Sequence, residues 1–154
     1  MNTVLAAIDF SPVTRTVLAN AIRLTRTLRG RLLLFHVVQP PVVVADFTPL
    51  VGEVLQFTTL IEKSARRHLR ELRKRCTTLG VKVDVVCRNG FPASLIVEQA
   101  KASEAQYIVL GSHGHTALYD LVVGSTTSGV LKRAPCPVVV VPAAPAKRKG
   151  KKKR

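Results

Sequence analysis

Two apolar patterns alternate along the chain. Short apolar runs bounded by polar or turn residues fall at 3–8 (TVLAAI), 31–38 (RLLLFHVV), 81–87 (VKVDVVC), 106–111 (QYIVLG) and 137–141 (PVVVV). Runs of that length and β-branched content predict buried strands. Between them the apolar residues recur at helical spacing. Val17, Leu18, Ala21, Ile22 and Leu28 mark a helix over 13–28, with Ser11 as its N-cap, Pro12 at its first position and Gly30 closing it. Leu55, Leu60, Ile61, Ala65, Leu69 and Leu72 form one stripe on a long helix over 51–79 that ends at Gly80. Shorter helices are expected over 93–102 and 125–132, and the prolines of QPPVVVADFTP make that segment a loop.

Strands alternating with helices imply an α/β fold with a parallel sheet and helices on both faces. A ligand site in such a sheet lies beyond the carboxyl ends of the strands, where strand order reverses. Those ends are Asp9, Val37-Val38, Arg88-Asn89-Gly90 and Gly111. One domain over residues 1–142 accounts for the pattern, and 154 residues suffice for a core without disulfides.

Composition narrows the classes. Tryptophan is absent and aromatic residues make up 5%, so no stacking platform for single-stranded nucleic acid is evident. No apolar run approaches the ~20 residues of a membrane span, and MNTVLAAIDF lacks the basic region and cleavage site of a secretory leader. Three widely spaced cysteines, Cys76, Cys87 and Cys136, show neither a CxxC pair nor zinc spacing, which points to free thiols and the cytoplasm. The net charge of +15 is uneven: the last eight residues, KRKGKKKR, hold seven of the 24 cations, leaving 17 against nine acids. Residues 143–154 are therefore expected to be a disordered basic tail able to contact polyanions. A second basic cluster occupies helix residues 64–76, where a solvated face is the simpler reading.

The candidate chemistry lies in glycines. Gly111 and Gly114 follow the fourth strand, and Gly124-Ser125 opens the last helix. Helix N-termini offer amide donors and a partial positive charge to phosphate, and Ser125, Thr126 and Thr127 add hydroxyls. The spacing is neither a Walker loop, since no lysine follows Gly124, nor a Rossmann fingerprint, since the first turn reads DFSPVT. Leu110 stands where a nucleophile elbow needs glycine, so Ser112 is a poor nucleophile candidate. His113 and His115 lack the further ligands of a metal site.

GSHGHTALYDLVVGS, a G-x2-G-x9-G-S pattern, resembles the ATP-binding motif of the universal stress protein family. VLAAIDFSPVTRTVLANAI, LLLFHVVQP, NGFPASLIVEQA and LKRAPCPVVVVP are similar to that family's opening strand, second strand, G-x-P turn and closing segment. The resemblance implies a Rossmann-like five-stranded parallel sheet in the order 3-2-1-4-5. It also implies that Asp9 meets ribose or phosphates and that the Val37 backbone meets the adenine edge. Gly111, His113 and Gly114 would line the phosphate loop, and Gly124, Ser125 and Thr126 would bind phosphate at the helix start. The implied ligand is ATP, with AMP as an alternative, together with Mg2+; the implied assembly is a homodimer through the last strand. The implied function is a nucleotide-dependent regulatory switch in stress response, with slow or no hydrolysis. No general base or arginine finger is apparent in the sequence. A nucleic-acid- or ribosome-associated protein, using the tail and helix 64–76, is the alternative.

Overall fold

In the computed structural model the described residues are 2–39, 51–112 and 123–142, without the side chains of 51–55 and 57. Their order is β1 (Thr3–Ala7), α1 (Thr14–Thr27), β2 (Arg31–Val38), α2 (Val51–Thr78), β3 (Val83–Asn89), α3 (Pro92–Ala102), β4 (Ala105–Gly111), α4 (Ser125–Leu131) and β5 (Val138–Val141). The strands form one sheet in the order β3-β2-β1-β4-β5, and every pairing is parallel.

Alternation along each strand sends successive side chains to opposite faces. Val4 and Ala6 of β1 with Leu32 and Leu34 of β2 point to one face, where Val17 and Ala21 of α1 and Leu69 and Cys76 of α2 cover them. Leu5, Leu33, Phe35, Ile108 and Leu110 point to the other, under Ile96 and Ala100 of α3 and Val130 of α4. The central strands are buried on both sides, which is why they read as continuous apolar runs.

Several boundaries differ from the sequence expectation. α1 starts at Thr14 with Val13 as N-cap and no side-chain cap bond. Ser11 does not cap it: its hydroxyl is buried without a hydrogen-bond partner among the described residues. Asp9 takes over instead, its carboxylate accepting the Ser11 N–H at 3.0 Å and the Thr14 hydroxyl at 3.4 Å. β3 runs to Asn89 because its ladder with β2 extends to the Val38–Asn89 pair. Leu60 is 63% exposed and leaves the apolar stripe of α2.

The end of α1 is also built differently. Arg29, at φ 49°, holds the left-handed position expected of Gly30. The Arg29 N–H bonds the Arg26 carbonyl and the Gly30 N–H bonds the Thr25 carbonyl, both at 3.0 Å, which is a Schellman closure. Gly30 is needed for room, since a Cβ there would sit 2.2 Å from the Asn2 carbonyl oxygen. At the end of α2 the expected glycine does serve: Gly80 has φ 75°, and Val81 N–H closes onto Cys76 O at 3.2 Å.

Candidate nucleotide site

β1 and β4 are neighbours whose following helices pack on opposite faces of the sheet, so a crevice opens between their carboxyl ends. A cleft of about 530 Å³ lies there, within the usual range for small-ligand sites of roughly 300–1,000 Å³. Its walls are Ala7 of β1 with Ile8 and Asp9 just beyond it, Val17 of α1, Phe35 to Val38 of β2 with Gln39 after it, and Leu110 and Gly111 from β4. Ile61 of α2, Pro92 and Ile96 of α3, and Gly124 to Thr127 at the start of α4 complete it.

Of the residues singled out from sequence, Asp9, Val37, Gly111, Gly124, Ser125 and Thr126 all line this one cleft. His113 and Gly114 lie outside the described residues, as do His115, the 40–49 loop and the 143–154 tail.

A short set of bonds brings the two glycine positions together. Gly124 N–H donates to Ser112 O at 2.9 Å, and Ser112 N–H donates to Val141 O at 2.8 Å. Thr127, 3% exposed, turns its hydroxyl inward and donates to Gly111 O at 2.8 Å. Thr127 was expected to offer that hydroxyl to a ligand; the structure uses it to hold α4 against the end of β4. The Gly124 amide is likewise engaged, so the donors at this end are the amides of Ser125, Thr126 and Thr127 with the hydroxyls of Ser125 and Thr126. The first amides of a helix have no acceptor within it.

At the opposite wall, Asp9 combines a local and an outward role. Its carboxylate fixes the β1–α1 turn while lining the cleft. Phe10 follows it at φ 61°, a left-handed conformation rare for an aromatic residue. The Phe10 ring lies 4.5 Å from the His36 ring and 5.3 Å from the His68 ring, centroid to centroid. His36 Nδ1 is 2.6 Å from the Ile8 carbonyl oxygen. Burial pushes its pKa below the ordinary 6.5; the Ile8 bond and the charge of Asp9 oppose that, and His68 adds to it.

His36, Gln39, Ile61 and Phe10 were missed in the sequence reading. The one available signal was His36 itself, a polar residue inside the apolar run LLLFHVV at a strand end. Among the described residues no group of three His, Cys, Asp or Glu side chains is placed to hold a metal ion. No helix among them is long and apolar enough to cross a membrane.

A doubly wound parallel sheet with a cleft at its switch point defines a Rossmann-like α/β domain. Residues 1–142 match the model of the universal stress protein family, and the chain belongs to that family. Universal stress protein MJ0531 of Methanocaldococcus jannaschii is 34% identical over 103 residues, 64% of this chain and 61% of that protein. Universal stress protein YxiE of Bacillus subtilis is 28% identical over 145 residues, 91% of this chain and 98% of that protein. Among solved structures, universal stress protein UspA from Lactobacillus plantarum superposes with a TM-score of 0.81 at 24% identity, covering 91% of this chain and 97% of that one.

Proposed function

We propose that this protein is an ATP-binding regulatory universal stress protein, a nucleotide-dependent switch with slow or no hydrolysis. The carrying observation is the convergence of Asp9, the Val37 strand end, Gly111 and the Gly124–Thr126 segment on one cleft of nucleotide size. The donors at the start of α4 suit phosphate oxygens, and the apolar wall of Val37, Ile61, Pro92 and Ile96 suits a base. Two neighbours of this fold are described as complexes, one with cAMP and one from Archaeoglobus fulgidus with dAMP, at TM-scores of 0.67 and 0.58. Their ligands support an adenine nucleotide as the class, with AMP beside ATP as a candidate.

ATP enters as its Mg2+ complex. Slow or no hydrolysis is part of the proposal, since the sequence shows no general base or arginine finger aimed at a migrating phosphoryl group. β5 lies at the edge of the sheet, and its four valines suit pairing with a second copy.

Calorimetric titration of nucleotide-free protein with ATP and Mg2+, beside Gly124→Val, tests the reading. Micromolar binding that disappears in the variant is the expected result. A wild-type protein that binds no adenine nucleotide refutes it.

A further inference from the structure

The cleft meets an anion with the wrong charge. Among the described lining residues, Asp9 is the sole side chain with a formal charge at neutral pH, and that charge is negative. Phosphate at the start of α4 is held by amides and hydroxyls, while the carboxylate on the opposite wall disfavours an anion in the cleft. The same wall carries one other titratable group, His36.

The geometry defines what His36 presents. A carbonyl oxygen only accepts, so the 2.6 Å contact with Ile8 places a proton on Nδ1. The neutral ring therefore has Nε2 as a bare acceptor, and a second proton turns that nitrogen into a cationic donor. Phe10, fixed in its left-handed turn, covers one side of the ring. The titratable groups facing His36 are Asp9 at the end of β1, His68 of α2 across Phe10, and Cys87, its register partner on β3. Beyond Cys87, Arg66 and Glu62 of α2 satisfy each other at 2.6 Å. Asp9 is thus the nearest anion to a protonated His36, and no cation from β1 competes with it among the described residues.

We propose that His36 is a ligand-contacting residue of this cleft, and that proton uptake by its imidazole neutralises the wall beside Asp9, so that anionic phosphate is held more tightly as the pH falls. The inference rests on the nucleotide reading above. Burial keeps His36 neutral at pH 7, and an anion brought beside the ring reverses that tendency. By linkage, each unit by which the ligand raises the pKa of His36 tightens binding up to about tenfold in acid relative to neutral solution.

The test is calorimetry of the full chain with ATP at about pH 7.5 and 5.5, a range that spans the histidine transition. Wild type, His36→Gln and His68→Gln are compared, with adenosine as the uncharged probe. ATP itself takes up a proton in this range, so the informative quantity is the affinity ratio of wild type to His36→Gln at each pH. That ratio is expected to rise about three- to tenfold on acidification with ATP. It should stay flat with adenosine, while His68→Gln keeps most of the wild-type response. Proton NMR of the wild-type His36 ring, which needs no variant to fold, should show its titration midpoint rising when ATP saturates the cleft. If ATP binds but the midpoint does not move and the ratio stays constant, this inference fails and the nucleotide reading stands. If wild-type protein binds no ATP at either pH, both fail.

Discussion

Thr127→Val exchanges one hydroxyl for a methyl group of similar size at a position only 3% exposed. No large cavity opens, so the main loss is the 2.8 Å bond to the Gly111 carbonyl. Setting a methyl against that carbonyl costs about 1–3 kcal/mol, offset by about 0.8 kcal/mol for the added apolar group. A net loss of roughly 0.2–2.2 kcal/mol is expected, and each kcal/mol lowers the melting temperature of a domain this size by about 2–4 °C. Urea and thermal unfolding followed by circular dichroism measure it, with Thr127→Ser as the companion that keeps the hydroxyl and drops the methyl. Since the bond fixes the start of α4 against β4, ATP affinity should fall in the valine variant more than in the serine one. Should valine prove as stable as threonine while serine is destabilised, the methyl matters and the hydroxyl does not. The account of how the two glycine segments are joined would then be wrong.

Gly30→Ala forces a Cβ to within 2.2 Å of the Asn2 carbonyl oxygen and should lower the unfolding free energy by about 1–3 kcal/mol. Arg29→Gly removes a left-handed non-glycine residue at φ 49° and should be neutral or stabilising by up to about 1 kcal/mol in the same urea titration. Because burial holds folded His36 below its ordinary 6.5, the unfolded chain takes up that proton first. Its contribution is whole above that pH and declines as the pH falls toward the folded value; ligand-free His36→Gln should flatten that part of the stability profile. Burial raises all three thiols above their ordinary 9.0. A thiol-reactive dye near neutral pH should therefore label Cys76, 3% exposed, at least about tenfold more slowly in folded than in urea-unfolded protein.

The order of elements was legible because each apolar period is a local property that survives folding. The alternation alone leaves strand order open, and the 3-2-1-4-5 arrangement followed from the resemblance carried by the glycine motif. What escaped the sequence is non-local. Ser11-Pro12 has the local form of a helix start, yet the turn is organised by a carboxylate two residues earlier. The length of β3 is set by its partner strand rather than by its own run of valines. Thr127 looks like its hydroxyl neighbours Ser125 and Thr126, and only the approach of Gly111 from a different element turns its oxygen inward. His36 stood out as polar in an apolar strand, but its role depends on Ile8, Asp9 and Phe10 arriving beside it from β1 and the turn beyond.

Gly124 separates the demands of the fold from those of a ligand. Its backbone, at φ −56° and ψ 154°, is open to any residue, so conformational freedom does not explain a glycine there. Its amide already bonds Ser112, so the residue does not act as a donor to phosphate either. What remains is the missing side chain, on a residue that lines the cleft. Gly124→Ala should then lower the unfolding free energy by about 0.5–1.5 kcal/mol in a urea titration, because glycine is preferred to alanine at an N-cap. In the proposed nucleotide complex the same methyl group would stand where phosphate closes on the amides of Ser125 and Thr126, and should weaken ATP binding at least about fivefold, a loss of roughly 1 kcal/mol. An alanine variant destabilised beyond that range but binding ATP as wild type would place the glycine in the service of the β4–α4 junction instead. One that folds and binds as wild type would show that the ligand keeps its distance from this end of the cleft.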